Sequence, residues 1–337
     1  MPRTTPLFFH IVLFALLILP RTPAAAQELK SSGLPRWDST NQILFFDSCS
    51  MGGVVRAYAD GHQRGADIDI AKDFPGLQDC YVESSTAGPD GTTLIAATLN
   101  FGTDASFRES ILTYDSSGKL LKSWDPYPQD VEAIAYSKDD DALFILGERS
   151  LPDGPYAPNY PLLIEYSRDG SVQKVMLPAG ALKNGGDSFH QGGLFGETTL
   201  RVTKDRVYFY APTDREAVIT DRNGVVLAER SISDIIEKIS MGDGFDLVQI
   251  HALDFSDDGD IVLELLRSNY IDYTLDVFRI NIKSGEAVPV RRAFHGGDLW
   301  FVGLKDGQYV YIEKGKRLVI QSGEVGGPLL TASNPTQ

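Results

Sequence analysis

The residues of this chain that could do chemistry are sparse and sit in a few long polar stretches. They are Arg108, Arg149, Tyr156, Asn159, Tyr160, His190, Arg267, Asn269, Tyr270 and His295. Arginine offers a planar fork to carboxylates, tyrosine an amphipathic ring, and histidine a group that titrates near neutral pH. Two of the histidines lie in near-duplicate segments, Phe189-His190-Gln191-Gly192-Gly193 and Phe294-His295-Gly296-Gly297. A His followed by glycines can be approached closely by a ligand. Cys49 and Cys80 are the only cysteines. In an exported chain such an even pair reads as a disulfide, and the lack of Cys-x-x-Cys spacing argues against a metal pair.

No complete catalytic set is present. The sequence has no Gly-x-Ser-x-Gly elbow, no His-Glu-x-x-His helix, no phosphate loop and no EF-hand spacing. A dinucleotide fingerprint fails because Gly242-Asp243-Gly244 has Leu247 where the third glycine belongs. Asp67, Asp69 and Asp73 could line one strand face but lack the further ligands of a calcium site. Asp257-Asp258-Gly259-Asp260 fits a hairpin turn better than a cation loop.

The elements that must position these residues announce themselves through their turns. One set reads Asp38-Ser39, Asp90-Gly91, Asp139-Asp140, Lys204-Asp205, Asp258-Gly259 and Asp306-Gly307. A second set reads Asp60-Gly61, Ser117-Gly118, Asp169-Gly170, Asn223-Gly224, Ser284-Gly285 and Ser322-Gly323. The sets alternate strictly, six of each, and short apolar runs flank every pair. Such pairs signal hairpins, because Gly takes a positive φ without steric cost. Successive first turns lie 52, 49, 65, 54 and 48 residues apart, a repeat of one small antiparallel sheet. The expectation is an all-β chain: a six-bladed β-propeller with four-stranded antiparallel blades. Blade six needs a terminal strand, for which Leu29 to Arg36 and Pro328 to Thr331 both qualify. The long third step reflects an insertion over Ala179 to Glu197, and Ser233 to Ser240 reads as a short helix stopped by Gly242.

The chain divides into an expected signal peptide over residues 1–26, a propeller over 27–330 and a disordered tail over 331–337. Arg3, the apolar run Leu7 to Leu19 and Ala24-Ala25-Ala26 form the signal. That run is shorter than the roughly 20 residues a bilayer span requires. The net charge is −15, and loss of Arg3 and Arg21 with the signal makes it −17. This acidity argues against nucleic acid and against docking on anionic lipid. The expected place is secreted or periplasmic, as a monomer with no transmembrane segment in the mature chain.

On its turn pairs and flanking strands, the chain resembles the secreted six-bladed β-propellers of the NHL and TolB-like kind. That family includes enzymes, binding modules and scaffolds, so the resemblance implies a fold and no single activity. A shorter stretch, His295-Gly-Gly-Asp-Leu-Trp-Phe301 followed by Asp306-Gly307-Gln-Tyr-Val, is similar to part of the soluble quinone-cofactor sugar dehydrogenases. That similarity implies a six-bladed enzyme with a His base and calcium. The chain departs from the pattern at Ile312-Glu313, where that family has Gly-Asp, and at Lys204-Asp205-Arg206, which lacks a Gly.

Tight turns gather on one face of a propeller and long connections on the other, around the channel. The functional surface is therefore expected on the long-connection face. Arg108, Arg149, Tyr156, His190, Arg267, Tyr270 and His295 are its expected ligand-binding residues. The leading reading is a non-catalytic binding or scaffold module for a protein, peptide or glycan, with no cofactor. The alternative is a propeller enzyme, an oxidoreductase or hydrolase, at the channel mouth near His190 and His295. Only that alternative calls for calcium or a quinone.

Overall fold

Glycine and a few carboxylate-bearing residues shape the strand pattern by turning the chain where apolar alternation stops. The computed structural model describes residues 29, 34–49, 53–102, 107–126, 130–148, 161–183, 198–211, 215–240, 247–268, 273–294, 299–313 and 317–321. Every second-set turn within these residues has its glycine at positive φ: Gly61, Gly118, Gly170, Gly224 and Gly285. Two first-set turns that lack glycine move the strained position downstream, to Gln42 (φ 57°) and Asp141 (φ 51°). The third, Lys204-Asp205, closes with a Thr203 N–H to Arg206 carbonyl bond of 2.9 Å.

These turns produce six antiparallel sheets in chain order. Blade one holds β1 (Leu34–Asp38), β2 (Ile43–Asp47), β3 (Val55–Ala59) and β4 (His62–Ile68). A short helix, α1 (Ile70–Asp73), leads to blade two with β5 (Asp79–Ala87), β6 (Thr93–Asn100), β7 (Phe107–Tyr114) and β8 (Leu120–Trp124). Blade three holds β9 (Asp130–Ser137), β10 (Ala142–Glu148), β11 (Pro161–Ser167) and β12 (Val172–Pro178). Blade four holds β13 (Thr199–Val202), β14 (Arg206–Ala211), β15 (Glu216–Asp221) and β16 (Val226–Ser231), followed by α2 (Ser233–Ser240). Blade five holds β17 (Leu247–Phe255), β18 (Ile261–Ser268), β19 (Tyr273–Ile280) and β20 (Ala287–Phe294). Blade six shows β21 (Leu299–Lys305), β22 (Gln308–Glu313) and β23 (Arg317–Gln321).

The first strands form a closed ring: β1 meets β5, then β9, β13, β17 and β21 follow in turn, and β21 returns to β1. This is a six-bladed propeller. The second strand of each blade is almost wholly buried, as at Leu94–Ala97 and Ile261–Leu265, because both of its faces pack on neighbouring blades. Apolar clusters accordingly span blade pairs. Phe144 and Leu163 pack with Val207 and Phe209, and Tyr208 with Phe255 and Leu263.

Backbone groups on the ring strands are bonded by side chains of the next blade. Asp38 accepts the Ala87 N–H at 2.9 Å, and Thr86 Oγ1 accepts the Tyr136 N–H at 3.1 Å. Asp254 accepts the Leu304 N–H at 2.7 Å, and Glu264 accepts the Phe301 N–H at 3.1 Å. A buried backbone donor without a partner is costly, so these bonds fix how each blade seats on the next.

No fourth strand of blade six lies among the described residues. Leu34 to Arg36 belong to β1, paired in blade one with Arg36 opposite Phe45, so this stretch does not close blade six. Leu29 instead packs as a buried plug among Leu44 and Phe46 of blade one and Val310 and Ile312 of blade six. Pro328 to Thr331 lie outside the described residues. Cys49, just after β2, is disulfide-bonded to Cys80 in β5, with a Cα–Cα distance of 5.5 Å. The bond ties blade one to the ring strand of blade two.

Candidate functional site: the mouth of the axial channel

Four ring strands break their own register once. In β5 the pairing passes from Val82 to Ser84 and skips Glu83. In β9 it skips Glu132, in β17 His251, and in β21 Val302. Each is a one-residue β-bulge, a device that bends a strand and re-aims the extra side chain. Glu83, Glu132 and His251 stand seven residues before Asp90, Asp139 and Asp258, the same distance from the same turn in three blades. The repeat thus carries a polar, titratable residue on the inner ring of blades two, three and five.

Side chains from four blades converge on the first two. The Thr98 hydroxyl donates to Glu83 at 2.9 Å. Arg36 of blade one donates to the Glu83 carbonyl and reaches the Tyr81 hydroxyl at 3.3 Å. Arg36 also pairs with buried Asp47 at 3.2 Å. Thr198, at the start of blade four, donates to Glu132 at 3.4 Å. Burial pushes the Glu83 carboxyl up to about 7; the Thr98 bond opposes this, the Glu132 charge adds to it, and Arg36 counters. Near neutral pH this carboxyl exchanges a proton, so it can donate or accept a hydrogen bond.

His251 is held differently. Its Nδ1 lies 2.8 Å from Glu264 Oε2, and Glu264 is fully buried. The other oxygen of Glu264 is taken by the Phe301 N–H. The Trp300 ring of blade six stands edge-on to the imidazole, centroids 6.1 Å apart. His251 and Trp300 both expose more than a third of their surface.

The opposite end of the axis is crossed by the turn between β1 and β2. Ser39 bonds Asp254 of blade five, and Thr40 Oγ1 accepts the Val202 N–H of blade four at 2.9 Å. Asn41 donates to the Tyr136 carbonyl of blade three at 3.0 Å and to Thr86 of blade two at 3.2 Å. One turn thereby bonds four other blades. Above it lies an open hollow of about 250 Å³ with Lys138 and Lys204 on its rim. Asp139 beside them offsets part of their charge. A second hollow, about 190 Å³, lies between blades two and three against Trp124 and Tyr136. Its cations are engaged: Arg168 with Asp90 and Lys122 with the Asp169 carbonyl.

Of the residues expected from sequence, two are described. Arg108 is exposed on β7 and pairs with Asp125 at 2.9 Å. Arg267 is 1% exposed inside blade five, ion-paired with Asp276. The long polar stretch did not put Arg267 on the surface, because β18 runs on through Ser268 and takes it into the sheet. Arg149, Tyr156, His190, Tyr270 and His295 lie outside the described residues. Sequence reasoning passed over Glu83, Glu132 and His251 because each sits inside a strand. Aligning the repeats on their first turns would have found them. Among the described residues no cluster of three or more metal-ligating side chains occurs.

No protein-family model matches the chain, and no curated protein matches it. Solved structures share its general form at low identity. A DUF4221 family member from Bacteroides vulgatus is 9% identical over 89% of this chain and 95% of that one, TM-score 0.46. A chain assigned to TolB from Agrobacterium tumefaciens is 14% identical over 78% and 81%, TM-score 0.43. The C-terminal WD40 domain of Sif2 is 10% identical over 88% and 87%, TM-score 0.40. At these values neither a family nor a function passes to this chain.

Proposed function

We propose that the protein is an exported β-propeller of the NHL or TolB-like kind. It acts as a monomeric, non-catalytic binding module whose ligand, a protein, peptide or glycan, enters the axial channel from the long-connection end. The observation that carries this reading is the convergence of Arg36, Glu83, Glu132 and Thr198 from four blades on one stretch of the ring. Two features support the direction of entry. The β1–β2 turn occupies the other end of the axis. Among the described residues the exposed aromatic side chains, Tyr81, Phe107, Tyr273 and Trp300, all stand at or near strand starts on the long-connection side. Exposed aromatic rings near polar, titratable groups are what a recognition surface uses. The disulfide suits an oxidising compartment, and no helix among the described residues is long and apolar enough to cross a membrane.

The test is a thermal-shift screen of dialysed protein against calcium, a quinone cofactor, sugars and peptides, followed by mapping of any binder. Glu83→Ala and Glu132→Ala should weaken binding about tenfold or more, one good hydrogen bond's worth. Asp90→Ala and Asp169→Ala, on the turn face, should leave it unchanged. The reverse pattern in folded variants places the site on the wrong face, and activation by quinone and calcium would replace the binding module with an enzyme.

A further inference from the structure

We infer that the outer edge of blade six is the docking site of the chain's own C-terminal segment. Glu324 to Leu330 lie along β23 as its fourth strand, and the C-terminus thereby latches the ring.

Two observations mark this edge as one that takes a cover. Blades one to five each carry a fourth strand outside the third, and among the described residues blade six does not. The third strands of other blades bury their apolar side chains, as at Val218 and Ile219 in β15 and Val277 and Phe278 in β19. On β23, Leu318 and Val319 are only half-buried and Ile320 is 39% exposed. An open apolar strand edge invites pairing, and folded chains cover it.

Blade one supplies the template for the occupant. Its β3–β4 hairpin turns at Asp60-Gly61, with Ala59 opposite His62 and Tyr58 opposite Gln63. β23 ends at Gln321 and Ser322-Gly323 follows, so Glu324 takes the place of His62. β4 then slips register between Arg64 and Ile68, and Gly65 sits in that slip at φ 78°. Gly65 is four residues beyond the turn glycine, and Gly327 is four residues beyond Gly323. A positive φ in a bulge favours glycine, so the spacing repeats a backbone requirement. The Ala66 N–H bonds the Ser116 carbonyl of blade two at 2.9 Å and leaves the β3 ladder. Pro328, which has no N–H to give, holds the matching position. β4 ends in Ile68, buried at the seam with the next blade. The same count brings Leu330 to the seam with blade one, where Leu29, Leu44, Phe46 and Ile312 cluster.

The N-terminal route is too short. With the expected signal peptide removed, only Gln27 and Glu28 precede the Leu29 plug. The shortest fourth strand described, β8, has 5 residues.

The experiment compares the full mature chain with one ending at Gly323, by hydrogen exchange and thermal melting. In the full chain alternate amides of β23 should exchange slowly. In the shortened chain they should exchange about tenfold faster or more, with β22 little changed. The melting temperature should fall by about 5–10 °C. Leu330→Asp in the full chain should reproduce part of that fall, and Asn334→Asp, beyond the strand, should not. A register test needs no truncation and carries the question if the shortened chain fails to fold. Ile320→Cys with Val325→Cys copies the pairing of Tyr58 with Gln63, and should oxidise in air to a second disulfide. Ile320→Cys with Gly326→Cys points the two side chains to opposite faces and should not. Mass spectrometry of non-reduced peptides reads both. The inference is overturned if β23 exchanges at the same rate in both chains, or if the two cysteine pairs oxidise equally. Protection of β23 that appears only at concentrations where the chain dimerises assigns the edge to a second copy and overturns it as well.

Discussion

Glu83 combines burial, a neighbouring carboxylate and a bulge, and its titration has a stability consequence with a definite sign. Its folded carboxyl is raised from the ordinary 4.5 to about 7. The folded state therefore holds a proton that the unfolded chain has lost between those values, and stability falls as pH rises through that window. Glu83→Gln removes this dependence. We expect the variant to match the wild type near pH 5 and to exceed it at pH 8 by about 1–2 kcal/mol, discounting the full shift for solvent access. Urea unfolding at both values measures it, and equal differences at the two would show that the carboxyl is not the cause. Asp38 works the opposite way, as an acceptor that others depend on. It takes the N–H groups of Thr40, Asn41 and Ala87 and the Thr86 hydroxyl. Burial pushes its own carboxyl up while these bonds pull it down. Asp38→Ala leaves several buried donors unmatched and should cost about 3 kcal/mol, well above the cost of the same change at an exposed turn aspartate such as Asp169.

The elements were legible at this scale because turn chemistry is local. Gly at a positive φ, two or three residues of loop, and alternating apolar strands all lie within one hairpin, so they can be read without knowing the fold. Helix α2 was legible over Ser233–Ser240 for the same reason. What a turn packs against was not. Gly61 and Gly170 share a positive φ, 78° and 82°. A Cβ on Gly61 meets nothing within 4 Å, whereas on Gly170 it meets Trp124 Cδ2 of blade two at 2.8 Å. Gly61→Ala should cost about 1 kcal/mol for backbone strain alone. Gly170→Ala should cost about 1–3 kcal/mol more, because the indole must shift. Paired thermal melts distinguish the two, and equal costs would mean that Trp124 yields freely. The bulges at Glu83, Glu132 and His251 belong to this scale as well. Each triplet, Val82-Glu83-Ser84, Val131-Glu132-Ala133 and Ile250-His251-Ala252, reads as ordinary strand. Each bulge bends its ring strand and re-aims the extra side chain, and β1 and β13 pair without one.

At the scale of the whole molecule the disulfide and the β1–β2 turn do related work at opposite ends of blade one. Cys49–Cys80 closes a 31-residue separation between two blades. Replacing both cysteines with serine should lower stability by about 3–4 kcal/mol on the chain-entropy account, measured by urea unfolding with and without reductant. Reductant should not affect the double variant, and an unchanged wild type after full reduction would sink the expectation. The pairing itself needed no structure, since the chain has only two cysteines. By itself the sequence also determined the blade count, the turns and the strands, because these depend on φ preferences and apolar periods a few residues long. It left the site undetermined. Arg267 looks like a loop arginine but folds into blade five against Asp276. Glu83, Glu132 and Thr198 meet only because three blades close on one axis. Ser39 reaches Asp254 across 215 residues of chain, and no local signal encodes that contact. Convergence at an axis is a property of ring closure, which brings together side chains that the sequence keeps a blade or more apart.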